Sequence, residues 1–246
     1  MNIMSKIEWT ERTWNPVVGC VKVSPGCKHC YAETMSRRLQ AMGTSGYENG
    51  FKLSLVPSRL EQPTLRRKPT MYFVNSMSDL FQSGVSFSYI DQVMDVIKKT
   101  PQHTYQILTK RSQRMASYFE NHAVPKNAWL GVSVEDKKYG KRRIKDLQSI
   151  DADTRFLSAE PLLEDLGELY LAGIHWVIVG GESGAGARPM REKWVLNIRD
   201  QCQKSDVKFF FKQWGAWGND GVKRNKKSNG RELQGRLWDT IPAMAM

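Results

Sequence analysis

The sequence lacks the features of an exported or membrane-spanning protein. No run of about 18 apolar residues occurs, and Lys6, Glu8 and Glu11 stand where a secretion signal would need an apolar core. Only four cysteines occur among 246 residues, too few to build a disulfide scaffold. We therefore expect a soluble, cytoplasmic protein that has no membrane partner.

Motifs of several common activities are also missing. The segment 180–186 is rich in glycine, but no Gly-Lys-Ser/Thr follows it, which excludes a P-loop. His103, His122 and His175 lie in no partnered motif, so we expect structural roles for them. No repeat of fixed period is present, which argues against a solenoid.

The chain is instead strongly basic, with a formal net charge of +12. Lysine and arginine gain affinity for a polyanion by releasing counterions from its phosphates, so nucleic acid is a candidate partner. The same charge would also suit an acidic protein or a solvated face. The basic residues concentrate in two groups: Lys137, Lys138, Lys141, Arg142, Arg143 and Lys145, and then Lys223, Arg224, Lys226, Lys227, Arg231 and Arg236.

Three of the four cysteines, Cys20, Cys27 and Cys30, lie within eleven residues of each other. They occupy a segment rich in glycine and proline, residues 14–32, that leads directly into a helical pattern. In a reducing compartment, grouped thiols favour metal binding over disulfides. We call residues 14–32 the cysteine loop.

From residue 70 onward, short apolar runs alternate with helical patterns. Continuous apolar strand cores between helices are typical of a parallel sheet covered by helices. We predict an α/β fold, a full or partial (β/α) barrel with mostly parallel strands. The predicted strands are 71–74, 104–108, 129–134, 155–158, 176–179 and 209–211, and the predicted helices include 113–119, 138–147 and 192–204.

The rest of the chain is divided around this barrel. A helix is predicted to start near Tyr31, because Ala32, Met35, Leu39 and Met42 recur at near-helical spacing. Residues 43–68 show no clear periodicity and are expected to form an irregular insertion. We expect the barrel domain to span residues 1–218 and a basic C-terminal extension to span residues 219–246.

Polar residues follow the apolar strands at their carboxyl ends. In a (β/α) barrel these positions converge on one mouth, where active sites are built. The cysteine loop, as the first βα loop, would open onto the same mouth. The polar set comprises Asn75, Asp79, Lys110, Arg111, Ser133, Glu135, Glu160, Glu182, Lys212 and Gln213.

The thiols themselves allow two kinds of metal site. Three thiolates with one open position suit an iron–sulfur cluster that keeps one iron free of protein ligands. They also suit a zinc ion completed by His29 or water, although a histidine between Cys27 and Cys30 would demand tight geometry.

The chain resembles the radical S-adenosylmethionine superfamily in three respects: the three-cysteine loop, the aromatic residue directly after it and the barrel pattern. More narrowly, the chain resembles the phage-associated three-cysteine-motif family. The motifs that carry this resemblance are Trp14-Asn15-Pro16, Cys-x6-Cys-x2-Cys-Tyr-Ala, 131–135, 159–162, 180–184 and 211–215. The superfamily usually has three residues between its first two cysteines and a Gly-Gly-Glu after its second strand. This chain has six residues there, and residues 75–79 take the place of the Gly-Gly-Glu.

The resemblance implies a [4Fe–4S] cluster held by Cys20, Cys27 and Cys30, with S-adenosylmethionine on the open iron. Electron transfer from the cluster would then release a 5′-deoxyadenosyl radical that abstracts hydrogen from a substrate. Tyr31 is similar to the aromatic residue near the adenine. Further cofactor contacts are expected from Asn75, Ser76, Asp79, Ser133, Glu135, Gly180 and Gly181.

Three charged residues are candidates for catalysis at the mouth. Lys110 could bind a carboxylate or phosphate, and Glu160 precedes a proline that restricts its backbone. Glu182 ends the strand at 176–179.

We therefore expect a radical S-adenosylmethionine enzyme whose substrate is a nucleic acid or nucleotide. Its partners would be a reductant protein that supplies an electron and a second protein that supplies specificity. The alternative is a nucleic-acid-binding protein that is stabilised by zinc or a cluster and performs no radical chemistry.

Overall fold

The computed structural model describes residues 7–243. Eleven strands and six α-helices are present in this range. The strands are β1 (Arg12–Trp14), β2 (Val17–Val18), β3 (Ser54–Leu55), β4 (Met71–Val74), β5 (Thr104–Thr109), β6 (Ala128–Ser133), β7 (Thr154–Ala159), β8 (Trp176–Gly180), β9 (Lys208–Gln213), β10 (Glu232–Leu233) and β11 (Arg236–Leu237). The helices are α1 (Tyr31–Ala41), α2 (Phe87–Lys99), α3 (Ser112–Phe119), α4 (Lys137–Gln148), α5 (Glu192–Lys204) and α6 (Lys226–Asn229).

Seven of the strands form one parallel sheet in the order β1-β4-β5-β6-β7-β8-β9. Every neighbouring pair is parallel, and from β4 onward the spatial order follows the chain order. Parallel strands need a crossover, and helices α2, α3, α4 and α5 provide it for the β4–β5, β5–β6, β6–β7 and β8–β9 connections, whereas β7 reaches β8 through residues 160–175 without a helix. The prediction of an α/β fold with parallel strands is confirmed.

The concave side of the sheet shows that the strands curl into a partial barrel. The Trp9 ring lies 4.6 Å from the Phe73 ring on β4 and 6.1 Å from the Trp176 ring on β8. In a flat sheet, strands four positions apart are separated by roughly 19 Å, which one side chain could not bridge. The rings of Trp9, Phe73 and Trp176 belong to one buried aromatic cluster, which also contains Trp129, Phe156 and Phe210. Side chains therefore fill the lower part of the barrel.

The convex side carries the larger core. The face of α2 with Ile90, Val93, Met94 and Ile97 is fully buried, as its spacing indicates. A Ser86 cap accepts a hydrogen bond from the Tyr89 amide at the start of this helix. The outward residues of the strands pack against these helices in one cluster.

Helix α1 begins at Tyr31 as predicted, but most of its apolar positions are not buried. Met35 and Met42 are 40% and 70% exposed, and only Ala32 and Ser36 on this helix are buried. The reason is that α1 packs with residues 43–60 in a small separate cluster, so its periodic apolar face does not meet the main core.

The insertion at 43–68 is attached to the edge of the sheet. Its strand β3 pairs antiparallel with β2, and two 3-10 helices, Pro57–Arg59 and Gln62–Leu65, follow. The Trp14 indole donates a hydrogen bond of 2.7 Å to the Arg59 carbonyl. The insertion thereby covers the β1 side of the barrel.

The C-terminal residues cover the opposite edge. The Phe211 amide on β9 donates to the Trp238 carbonyl over 2.8 Å, and Phe210 forms an antiparallel bridge with Asp239. Within residues 7–243, no helix has the length and apolar character needed to cross a membrane.

Candidate active site

The cysteine loop lies over the carboxyl ends of the first strands. The Gly19 amide donates to the Met77 carbonyl after β4, and the Cys20 amide donates to the Phe51 carbonyl. Gly19 has a φ of 77°, and a side chain there would place Cβ 2.1 Å from the Lys52 carbonyl oxygen. Only glycine allows this close approach. The loop is thus fixed between the sheet and the insertion.

Four carboxylates, which follow the carboxyl ends of β4, β6, β7 and β8, are each paired with a cation. Because the strands are parallel, their carboxyl ends meet at one mouth, and these pairs form an arc around it. The pairs are Asp79 with Arg111 at 2.8 Å, Glu135 with Lys110 at 2.9 Å, Glu160 with Lys212 at 2.8 Å and Glu182 with Arg188 at 2.7 Å.

Three of these pairs also hold the cysteine loop. The Ser24 hydroxyl donates to the Glu135 carboxylate, and the Arg111 guanidinium donates to the Val21 carbonyl. Arg188 donates to the Pro25 carbonyl over 3.0 Å. The loop that carries the thiols is therefore tied to the ends of β5, β6 and β8.

Glu135 is the most deeply buried of the four carboxylates. It accepts hydrogen bonds from Ser24 and Arg143 and pairs with Lys110, while none of its side chain is exposed. Burial acts to raise the pKa of Glu135, but the charges of Lys110 and Arg143 outweigh it and hold that pKa below its usual range.

Glu182, at the end of β8, is also a buried carboxylate whose pKa is lowered by a cationic partner. Burial opposes ionisation, but hydrogen bonds from the Arg188 side chain and backbone hold the pKa of Glu182 below its usual range. The anion that Arg188 binds in the structure is the Glu182 carboxylate itself.

The three candidates for catalysis differ in their access to the mouth. Lys110 and Glu160 keep 18% and 16% of their side chains exposed, and Lys212 keeps 18%. Glu182 keeps only 5%. Lys110, Glu160 and Lys212 are therefore more accessible to a molecule in the mouth than Glu182 is, and the Arg188 partner of Glu182 is 30% exposed.

Asn75 places an unsatisfied donor beside the mouth. It has a φ of 57° and is 3% exposed, and its Oδ1 accepts a hydrogen bond from the Val17 amide. Its Nδ2 has no hydrogen-bond partner within the described chain. A buried amide N–H without a partner costs free energy, so this atom is suited to an acceptor on a bound molecule.

Tyr31 and Asp79 bind groups of the protein at the mouth. The Tyr31 hydroxyl donates to the Ser76 carbonyl over 2.5 Å. Asp79 accepts from the Thr109 hydroxyl, the Lys110 amide and Arg111. Asp79 thus fixes the turn after β5 as well as pairing with Arg111.

Gly180 and Gly181 permit close approaches within the chain. A Cβ on Gly180 would lie 2.7 Å from the Glu160 carboxylate, and one on Gly181 would lie 1.9 Å from the Trp214 carbonyl oxygen. The space beside both glycines is occupied by the chain's own atoms.

The three clustered cysteines are free thiols, and Cys27 is buried while Cys20 and Cys30 are partly exposed. Burial raises the pKa of Cys20 to about 11, and the charge of Arg111 beside it acts in the opposite direction. The fourth thiol, Cys202, is buried in the main core.

The donor set can be compared with the two kinds of metal site. No group of three or more His, Cys, Asp or Glu side chains among residues 7–243 is placed to hold a single metal ion. A mononuclear zinc site would gather its donors within roughly 4 Å of each other, because Zn–S bonds are about 2.3 Å long. A four-iron cluster is wider and is held by cysteine thiolates, and the three free thiols of the cysteine loop match those donors in kind and number.

Residues 4–242 match the profile of a protein family. The chain belongs to the family described as Protein of unknown function (DUF5131). No curated protein is similar enough in sequence to count as a relative.

Among solved structures, the DUF5131 chain is similar to spore photoproduct lyase. A lyase complexed with dinucleoside spore photoproduct is 12% identical, with a TM-score of 0.44, and the match covers 82% of this chain and 63% of the lyase chain. A mutant of the lyase is 13% identical, with a TM-score of 0.47, and the match covers 94% and 73% of the two chains. A lyase with bound AdoMet and dinucleoside spore photoproduct is 11% identical, with a TM-score of 0.43, and the match covers 87% and 60%.

Sequence reasoning missed two members of the DUF5131 site. Ser24 was not singled out within the cysteine loop, and Arg143 was placed only in a basic group that suits either a polyanion or a solvated face. Arg143 is 4% exposed and donates to Glu135 and the Ser133 carbonyl. The helical spacing could have found it, because Arg143 adjoins Ile144 on the face that also buries Gly140 and Leu147.

Proposed function

We propose that this chain is a radical S-adenosylmethionine enzyme of the phage-associated three-cysteine-motif family, acting on a nucleic acid or nucleotide. The observation that carries the proposal is the tethering of a three-thiol loop, by charged groups, over the mouth of a parallel half-barrel. Active sites of such barrels lie at this end of the strands. The division into a barrel of residues 1–218 and an extension of residues 219–246 is part of the proposal.

Cys20, Cys27 and Cys30 would hold a [4Fe–4S] cluster and leave one iron for S-adenosylmethionine. When bound, the cluster supplies one electron for reductive cleavage of a C–S bond at the sulfonium. A reductant protein would replace that electron, and a second protein would supply specificity.

The chain's own residues would position and shield the cofactor. Asn75 Nδ2, buried and unpaired in the described chain, would donate to a cofactor acceptor such as the methionyl carboxylate. Tyr31, Ser76, Asp79 and Ser133 line the same mouth and would add contacts. Gly180 and Gly181, whose Cβ directions are filled by Glu160 and Trp214, would offer only backbone atoms to the cofactor.

The charged groups of the mouth would have separate tasks. Glu135 and Glu182 would position the cysteine loop, because their partners include Ser24 and Arg188. Lys110 and the Glu160–Lys212 pair keep part of their surface exposed and would contact the substrate. Lys110 and Lys212 are already paired with carboxylates of the protein. They would therefore orient a substrate by hydrogen bonds while adding little net charge to the mouth.

Anaerobic purification and reconstitution with iron and sulfide test the proposal. The wild-type chain should take up iron, turn brown and, with dithionite and S-adenosylmethionine, release 5′-deoxyadenosine. Cys27→Ala should bind less iron and release none, whereas Cys202→Ala should behave as wild type because Cys202 lies in the main core. A colourless protein with one zinc per chain and no iron would overturn the proposal and favour the binding protein.

A further inference from the structure

A cavity of about 410 Å³ lies where the C-terminal extension meets the loop after β8. Ser183 and Ala185 line it on one side, and Ala216, Lys223, Arg224 and Lys226 line it on the other. A volume of this size can accommodate one nucleotide, since ligand pockets begin at roughly 300 Å³. Its floor of alanine methyl groups and its rim of cations combine an apolar surface with an anion-binding one.

The rim carries more positive charge than its carboxylates neutralise. Residues 219–231 contain five Lys and Arg but a single acidic residue, Asp220. Asp220 pairs with Arg224 at 2.6 Å, and Glu8 lies 3.2 Å from Lys226. Lys223 donates to the Ala185 carbonyl and forms no ion pair within residues 7–243. Its charge is therefore available to a bound anion.

The cavity is connected to the mouth by two residues. Ser183 directly follows the mouth residue Glu182, and its hydroxyl accepts a hydrogen bond of 3.0 Å from Gln213 at the end of β9. The other end of the Gln213 amide accepts from Lys226 over 3.1 Å. Since the Ser183 oxygen already accepts from Gln213, its proton can be donated to a phosphate oxygen.

We propose that this cavity binds a backbone phosphate of a single-stranded nucleic acid, so that the next nucleoside reaches the mouth. Lys223 and Lys226 would supply the charge, and Ser183 would supply a neutral hydrogen bond. The backbone of a single strand is flexible enough for one phosphate to enter a cavity. The backbone of a duplex is stiff, so its phosphates stay on the surface of the double helix. The choice of nucleic acid as the ligand rests on the proposed function. The binding of a phosphate in this cavity does not require the iron–sulfur cluster.

The test compares two double variants that remove equal charge. Lys223→Ala with Lys226→Ala changes the cavity, and Lys138→Ala with Lys141→Ala changes the exposed face of α4, where neither lysine forms an ion pair within residues 7–243. Binding of a fluorescently labelled single strand of DNA is measured by anisotropy at several salt concentrations. Lys223→Glu serves as a third variant, because Lys223 is exposed and its loss should leave the fold intact.

The cavity double should weaken binding at least about tenfold and lower the slope of log K against log salt by about 0.7, since one phosphate contact on a single strand contributes roughly that amount. The α4 double should change the slope by less than half as much. Equal losses from both doubles, or tighter binding of a duplex than of the single strand, would overturn the phosphate site.

These outcomes are independent of the cluster. If the chain cleaves S-adenosylmethionine but both doubles bind DNA equally, the phosphate site is wrong and the proposed enzyme stands. If the cavity double loses DNA binding while the wild-type chain holds no iron, the phosphate site stands and the proposed enzyme is wrong.

Discussion

The Ser24 hydroxyl donates a hydrogen bond to the Glu135 carboxylate, joining the cysteine loop to the end of β6 across 111 positions of sequence. Lys110 and Arg143 neutralise the same carboxylate from two other elements. Glu135 is therefore the point at which the loop, the sheet and helix α4 are held together. This arrangement makes the stability of the mouth depend on a single buried charge.

Glu135→Gln should lower the free energy of unfolding by about 3 kcal/mol, because removing one partner of a buried ion pair leaves the others uncompensated. Urea denaturation measures the loss. Asp95→Asn is the matched control, since Asp95 pairs with Lys98 on an exposed surface and should cost less than about 1 kcal/mol. Similar losses from both variants would show that Glu135 does not stabilise the mouth.

Stability should fall in acid, and Glu182 should account for part of the fall. The pKa of Glu182 is held below its usual range in the folded chain, so the unfolded chain binds more protons as the pH drops. The stabilisation is present above the unfolded pKa of about 4.3 and is lost as the pH falls through the folded pKa.

Unfolding free energies measured between neutral pH and acid should show a gap between wild type and Glu182→Gln that narrows as the pH falls. Glu168→Gln, at an exposed position, should run parallel to wild type. A gap that stays constant with pH would contradict the role given to Arg188.

Gly181→Ala should destabilise the chain by about 3 kcal/mol or more, because the new methyl would overlap the Trp214 carbonyl oxygen, which is backbone. Thermal unfolding provides the comparison with Gly43→Ala. Gly43 has a φ of 65° and open space around it, so that substitution should cost only the backbone strain of about 1 kcal/mol. A smaller shift for Gly181→Ala than for Gly43→Ala would mean that the two segments can separate freely.

Removing iron should leave the chain folded. The two larger hydrophobic clusters contain none of the three loop cysteines, and protein groups already tether the loop. Far-ultraviolet circular dichroism of the chelator-treated protein should match that of the loaded protein, with a cooperative thermal transition in both. Small structural-metal domains unfold without their ion. Loss of structure on chelation would therefore favour a metal-stabilised binding protein.

Long apolar runs and helical periodicity were enough to predict most of the barrel. The strand at 71–74 and the helix at 192–204 have the predicted bounds, because each is marked by a continuous or periodic apolar pattern. The polar residues after the strands were also recognisable, since a parallel sheet brings its carboxyl ends together.

The details that depend on packing could not be predicted in this way. Periodicity shows that α1 has an apolar face but not whether a sheet lies beneath it, and Met42 is in fact exposed. The contact between Ser24 and Glu135 depends on how a loop lies against a distant strand end. The sequence around Ser24 or around Glu135 does not indicate that these two residues are in contact.

The segment that contains Trp238 hydrogen bonds to β9 and so covers one edge of the seven-stranded sheet. An uncovered edge presents rows of unpaired amide and carbonyl groups that recruit strands from other chains. A chain cut before this segment should therefore lose solubility through edge-to-edge aggregation, even though every residue of the mouth up to Gln213 would still be present.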